Sequence, residues 1–327
     1  MQFAVDSPPL YFLCVAVSTS ADPLGTFARY AFPQFFFPDY PKLGVWTDAY
    51  YVTFQQYDNQ GKNVNSGVCA FDRAKMLAGL NTSQICANAS ASDTGLLPAD
   101  ADAAPLTGTR FPLVFLKDNF NLGLYDFQVD FLSNSGVLSY VSAIPVTPFS
   151  MPANDTVPQP ANGARLDAIG DRLMDRLAYQ VVNGVESLVV NHAVDSTGSP
   201  SGRGIISVRW YEIRGFQQRA PTVFQSGTLN AGDGIWRFMG SAAMDKMGNI
   251  GVGYTTSGPL NRIGMRFSGR NVTDPLGAMQ ETFLMEGSGV QIGEGRWVDY
   301  SSLSLDPDGC TMWYVNAFQP SDGSFNW

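Results

Sequence analysis

Glutamate and lysine are scarce in this 327-residue chain: 5 Glu stand against 24 Asp, and 5 Lys against 15 Arg. Glu and Lys are good helix formers, whereas Asp favours turns and caps, so a helical bundle or coiled coil is excluded. His192 is the one histidine. That rules out metal centres built on several imidazoles, and any Ser-His-Asp triad has one choice of base. No G-x-S-x-G stretch marks a serine nucleophile. No apolar run approaches the roughly 20 residues of a membrane-spanning helix. The run "LYFLCVAV" (10–17) has no Lys or Arg before it and reads as a strand, not a signal peptide. A net charge of −9 argues against nucleic acid and anionic membrane as partners.

What the chain does have is 33 Gly, 20 Pro and many Ser, Thr, Tyr and Phe, the composition of an all-β protein rich in turns. The tetrapeptide Asp-Pro-Leu-Gly occurs twice, at 22–25 and 274–277, each time between two strand-like runs. Around the second copy, "FMGSAAMDKMGNIGVGYTTSG" reads as strand, Asp-x-x-Gly turn, strand. The same layout recurs in "VDYSSLSLDPDGCTMWYVNAF", in 38–54, and in 170–193, where Asn183-Gly184 is a hairpin signal. Third strands start near residues 14, 68, 122, 206 and 263, about 55 residues apart with one longer step. That step holds the Pro- and Asn-rich stretch 148–165, read as a surface insertion.

A four-stranded antiparallel unit at this period predicts a single β-propeller domain. The blades fall at approximately 1–37, 38–92, 93–147, 150–228, 229–288 and 289–327. "MQFAV" and "TMWYVNAF" both resemble second strands, which favours six blades with incomplete terminal ones over five. Asp-Pro-Leu-Gly is then turn chemistry between the last two strands of a blade, Pro fixing φ and Gly allowing a positive one. The abrupt start and the ending "SDGSFNW" are those expected of a piece of a longer secreted precursor. Cys69 and Cys86, on neighbouring strands, are expected to form a disulfide; Cys14 and Cys310 are left to pair with each other or elsewhere. Sequons at Asn81, Asn88, Asn154 and Asn271 are close to the roughly three that composition yields by chance.

The strings "CAFDRAKMLAG", "GDRLMDRLAY", "ESLVVNHAV", "VRWYEIR" and "RWVDYSSLSLDP" resemble a family of secreted microbial β-propeller proteins, over nearly the whole chain. Its architecture is similar to that of sialidases and furanosidase-type propeller glycosidases, and the resemblance implies an extracellular protein. The sialidase arginine triad is missing, and "SLDPDGCTMW" matches the S-x-D-x-G-x-x-W turn imperfectly. Fold-level likeness leaves function to the site.

In a propeller, first-strand starts and second-strand ends open on one axial face. Alignment places Asp39-Tyr40, Asp171-Arg172, Met239-Gly240 and Asp299-Tyr300 at the starts, with His192 at a second-strand end and Trp236, Arg237, Arg296 and Trp297 just before first strands. Three carboxylates about 8 Å apart repel by about 2 kcal/mol per pair at an effective dielectric of about 20. Such a ring needs arginines, a cation, or one raised pKa, and the last is what acid–base glycosidase chemistry uses. Asp39, Asp171 and Asp299 are therefore the candidate catalytic residues, expected in one funnel mouth. Tyr40, Arg172, His192, Trp236, Arg237, Arg296, Trp297 and Tyr300 are the candidate substrate contacts. The competing reading has the aspartates capping strand ends, the tryptophans packing between blades, and His192 as a hydrogen-bonded rim residue. No cofactor is implied, a structural Ca²⁺ being the alternative occupant of the ring. The expected partner is a glycan or other small polar ligand bound by a monomer, cleaved or merely held; a non-catalytic carbohydrate- or protein-binding module is the alternative.

Overall fold

A computed structural model describes residues 2–6, 10–106, 108 and 110–324, the first five by backbone alone. Met1 and residues 325–327, which belong to the terminal stretches read above, lie outside them. The described residues hold 21 strands and one five-residue helix, in antiparallel sheets. They fall into two compact units, Met1–Lys117 with Gly123–Ser142 and Asp118–Leu122 with Ala143–Trp327.

In the first unit β1 (Gln2–Asp6), β2 (Leu10–Ser18) and β3 (Phe27–Gln34) form a three-stranded sheet. A four-stranded sheet follows in chain order: β4 (Phe37–Val45), β5 (Ala49–Tyr57), β6 (Asn63–Asp72) and β7 (Gln84–Asn88). The helix α1 (Arg73–Leu77) interrupts it, capped by the Asp72 carboxylate, which accepts from the Lys75 N–H at 3.1 Å. Then β8 (Leu97–Ala101), β9 (Phe111–Asp118), β10 (Asn121–Asp130) and β11 (Ser135–Pro145) lie side by side. The second unit repeats the pattern. Its strands β12 (Met174–Val182), β13 (Val185–Asp195), β14 (Ile206–Arg214) and β15 (Thr222–Leu229) are neighbours in chain order. So are β16 (Trp236–Met244), β17 (Ile250–Gly258), β18 (Asn261–Arg270) and β19 (Gln280–Glu286). A two-stranded sheet, β20 (Ser302–Leu305) with β21 (Met312–Val315), ends the series.

The turns explain the surplus of aspartate. At Asp58, Asp245 and Asp306 the carbonyl accepts the N–H of the glycine three residues on, at 3.0, 3.0 and 2.8 Å, and Gly61, Gly248 and Gly309 all have positive φ. The same carboxylates take further N–H groups inside the turn, as Asp245 does from Met247 and Asn249, both at 2.8 Å. Glutamate is too long for this geometry. Asn183 and Gly184, at φ 50° and 78°, make the expected hairpin turn between β12 and β13. Both Asp-Pro-Leu-Gly copies are turns, joining β2 to β3 and β18 to β19, but they differ. Only Gly277 takes a positive φ; at 22–25 the Gly25 N–H closes on the Asp22 carbonyl at 3.1 Å and the Leu24 N–H on the Asp22 carboxylate at 2.9 Å.

Sheets pack face to face within each unit. Leu13, Val15 and Phe32 share a core with Val52, Phe54 and Phe71 of the next sheet. In the second unit Ala178, Val189, Val208 and Trp210 do so with Ala242, Val252 and Tyr254. A strand covered on both faces loses its alternation, which is why β13 and β17 are almost uninterruptedly buried. Close approach is built in by glycine: a Cβ at Gly253 of β17 would fall 2.5 Å from the ring of Tyr314 on β21. Cys69 and Cys86 face each other across β6 and β7 with Cα atoms 4.1 Å apart and form a disulfide. Cys14 and Cys310 are free thiols and do not pair with each other, which corrects that one of the two alternatives. No helix of the described residues is long and apolar enough to cross a membrane.

Strands β4, β12 and β16 each carry an irregularity at one place. On β4, Tyr40 and Pro41 bulge between the pairs Asp39↔Gln55 and Lys42↔Thr53. On β16, Met239 and Gly240 bulge between Phe238↔Thr255 and Ser241↔Gly253. On β12 the shift lies between Met174↔Asn191 and Ala178↔Val189. Tyr40 and Met239 take the left-handed conformation, φ 53° and 49°, that non-glycine residues avoid. Bulges bend a strand and re-aim its side chains, and they favour the neighbourhood of functional sites.

Candidate functional site

The bulges correct the alignment of first strands. The counterpart of Asp39-Tyr40 is Met174-Asp175 on β12 and Phe238-Met239 on β16. Asp171 and Arg172 precede β12 in the loop that leads into it. Asp39 is half-buried on β4 of the first unit, and the ammonium of Lys42 lies 3.7 Å over the Tyr40 ring.

In the second unit two segments distant in sequence, 150–173 and 287–300, are laced together. The Ala164 N–H donates to the Gln291 carbonyl and the Asp167 N–H to the Gly295 carbonyl, both at 2.8 Å. Gln159 reaches the Gln291 carbonyl at 3.1 Å and accepts the Gln291 N–H at 2.8 Å. Below this lacing, Val157, Leu166, Ala168 and Trp297 are buried in one cluster with Met174 and Phe238. The lacing gathers four carboxylates and two guanidinium groups near the entrance to β12. Asp155, at φ 52°, sets its carboxylate against Gly295, where a Cβ would fall 2.3 Å from Oδ1. The Arg172 Nε and Nη2 clasp both oxygens of Asp171 at 2.9 and 2.8 Å. The Arg296 Nη2 holds both oxygens of Asp299 at 2.6 and 2.5 Å. Between them Asp167 accepts the Ile169 N–H at 2.9 Å. Partial burial holds the Asp167 carboxyl above the usual carboxylate range; the charges of Asp155 and Asp171 add to this, against the Ile169 bond and the charge of Arg296. A carboxyl biased toward its protonated form can donate a proton to a bound solute.

Asp155 was hidden because 148–165 reads as a polar insertion, and Asp167, just beyond it, aligns with no first-strand start. The signal was there in Val157, Leu166 and Ala168, all fully buried, whose apolar side chains pin this stretch to the core.

Three other candidates lie in the interior. His192 is fully buried on β13, its Nε2 3.0 Å from the Tyr211 hydroxyl and its ring edge-on to Phe149, so it is not on a rim. Burial pushes its pKa down to about 3, and the charge of Arg209 lowers it further. Arg237 is likewise fully buried and spends all five N–H groups, on Glu281, Asp233 and the Ile235 carbonyl. Burial alone would raise the Glu281 carboxyl, but bonds from Arg237, Tyr254 and Arg266 hold it at about 2. Arg237 thus ties β16 to β19 and keeps no donor for a ligand. Trp297 is core, and Trp236 packs on the same cluster while donating Nε1–H to the Gly204 carbonyl at 2.9 Å. Tyr300 is exposed beside Asp299. Among the described residues no three His, Cys, Asp or Glu side chains are grouped to hold a metal ion. No protein-family model and no curated protein matches the chain.

Proposed function

We propose that the chain is an extracellular β-propeller that binds a glycan on the face carrying Asp155, Asp167, Asp171, Arg172, Arg296 and Asp299, with Asp167 as the proton donor. Three features support the propeller. The first strands of successive sheets pack beside one another within a unit, β4 with β8, and β12 with β16 and β16 with β20. Sheet faces meet in shared cores. The terminal strands form separate sheets, of three and two strands, and not one completed blade, which favours six blades over five. The disulfide supports an oxidising compartment.

The observation that carries the functional reading is Asp167, partly buried between carboxylates and guanidinium groups. Its protonated carboxyl would serve the glycosidic oxygen, and ionised Asp171 would act as base or nucleophile. The clasps on Asp171 and Asp299 favour a second reading, a module that binds without cleaving, because both carboxylates already spend their oxygens on a guanidinium. The proposed site lies within the second unit and does not include Asp39, which is on β4 of the first. A glycan array and a panel of chromogenic glycosides, run on the wild type and Asp167→Asn, separate the cases. Turnover lost in the variant with binding retained identifies the acid. Binding without turnover in both identifies the module. A wild type that retains no glycan refutes the proposal.

A further inference from the structure

The second Asp-Pro-Leu-Gly turn closes over a cavity that the reading above does not use. The cavity, about 260 Å³, lies among the β12–β13 turn, the outer strands β14 and β15, and the β18–β19 connection. It is at the far end of β12 from the Asp167 cluster, on the order of 30 Å for a nine-residue strand. Leu276 of the turn lines it, and Gly277 docks on β15 by donating its N–H to the Gln225 side chain at 3.1 Å. In the first copy of the motif the same leucine, Leu24, is 93% exposed. Placement of one copy over a cavity is therefore not a demand of the turn itself.

The charges in the cavity do not balance. Glu212, 1% exposed, accepts from the Ser187 hydroxyl at 2.8 Å, from Gln225 Nε2 at 2.6 Å and from Arg214 Nε at 2.6 Å, so it is both satisfied and neutralised. Arg214 is fixed flat, its guanidinium 3.4 Å over the Phe224 ring. Arg270 is different. It is 4% exposed, gives Nη2–H to the Asp274 carbonyl at 2.8 Å, and has a buried Nε–H with no acceptor. No carboxylate among the described residues pairs with it: that of Asp274 turns to the Asn271 N–H at 2.7 Å, and that of Asp245 is taken by its own turn. A buried guanidinium without a counter-ion is costly. Glu212 against Arg214 and Arg270 leaves the lining one positive charge in excess.

We propose that this cavity binds a small monocarboxylate with an apolar tail, Arg270 supplying the counter-ion and a planar donor edge. A guanidinium matches the two oxygens of a carboxylate in a way an ammonium does not. Phe224, Val272 and Leu276 give the tail apolar walls. The volume lies below the roughly 300–1,000 Å³ of pockets for drug-sized ligands, which sets the size class.

Butyrate is the probe, titrated into the full chain and followed by backbone amide resonances, with butanol, butylamine and inorganic phosphate in parallel. Saturable butyrate shifts at the β12–β13 turn and around Leu276 are expected, at least tenfold tighter than with the other three. Arg270→Met should weaken butyrate at least tenfold. Because Arg270 is buried and that variant can misfold, Leu276→Glu is the second test. It changes a residue 61% exposed, places a competing carboxylate at the cavity, and should weaken butyrate tenfold with the thermal midpoint kept. The proposal is overturned if butyrate shifts do not saturate, if butanol, butylamine or phosphate binds as well, or if a folded Leu276→Glu variant binds butyrate like the wild type.

Discussion

On acidification from pH 7 to pH 5, His192 alone should destabilise the fold by about 2 kcal/mol. In the unfolded chain an imidazole takes up its proton as the pH falls through about 6.5. In the folded chain burial of His192, with Arg209 nearby, delays this to about 3. Between those values the unfolded state binds more protons, so stability is full above about 6.5 and is lost as the pH falls toward 3. At about 1.4 kcal/mol per pH unit, softened near the start of the window, the loss is about 2 kcal/mol at pH 5. His192 is fully buried, so solvent screening does not reduce the figure. Asp167 and Glu186, raised chiefly by burial, act in the opposite sense, binding protons more readily in the folded chain. Comparison with His192→Gln cancels them. Urea unfolding at the two pH values should show a loss for the wild type about 2 kcal/mol larger than for the variant. Since the chain has one histidine, its imidazole C–H resonance reads the group directly and should keep its neutral position at pH 5. Equal losses in the two proteins, or a resonance that titrates near 6.5, would refute the reasoning.

Replacing both Cys69 and Cys86 by Ser should cost about 3 kcal/mol from the loop-closure entropy of a 17-residue separation, seen as an earlier urea midpoint under oxidising conditions and no difference after reduction of the wild type. Arg237→Met should cost about 1–3 kcal/mol, because Glu281 and Asp233 lose their main partner but stay partly exposed, and carbon-detected titration should show the Glu281 carboxyl rising from about 2 toward the ordinary range.

Local chemistry was legible in the chain itself. Asn183-Gly184 can scarcely do anything but turn, the Asp-x-x-Gly stretches close on their own carboxylates, and Cys69 and Cys86 follow strands that a short connection must pair. The all-β character follows from the shortage of helix formers and the period of the turns. The candidate site was legible only in part, through Asp171, Arg172, Arg296 and Asp299. Their neighbour Asp167 was hidden because its environment comes from Gly295 and Arg296, about 130 positions away, and no local pattern encodes which distant carbonyl an N–H will meet. Register was hidden for a related reason. A bulge at Tyr40 or Met239 shifts every residue beyond it by one place, and its position is set by the strand it pairs with. Polar side chains misled most. His192 and Arg237 look in sequence like groups meant for a ligand. The tertiary structure buries both, with Tyr211 meeting the Nε2 of His192 and Glu281 with Asp233 holding the guanidinium of Arg237 in place of water.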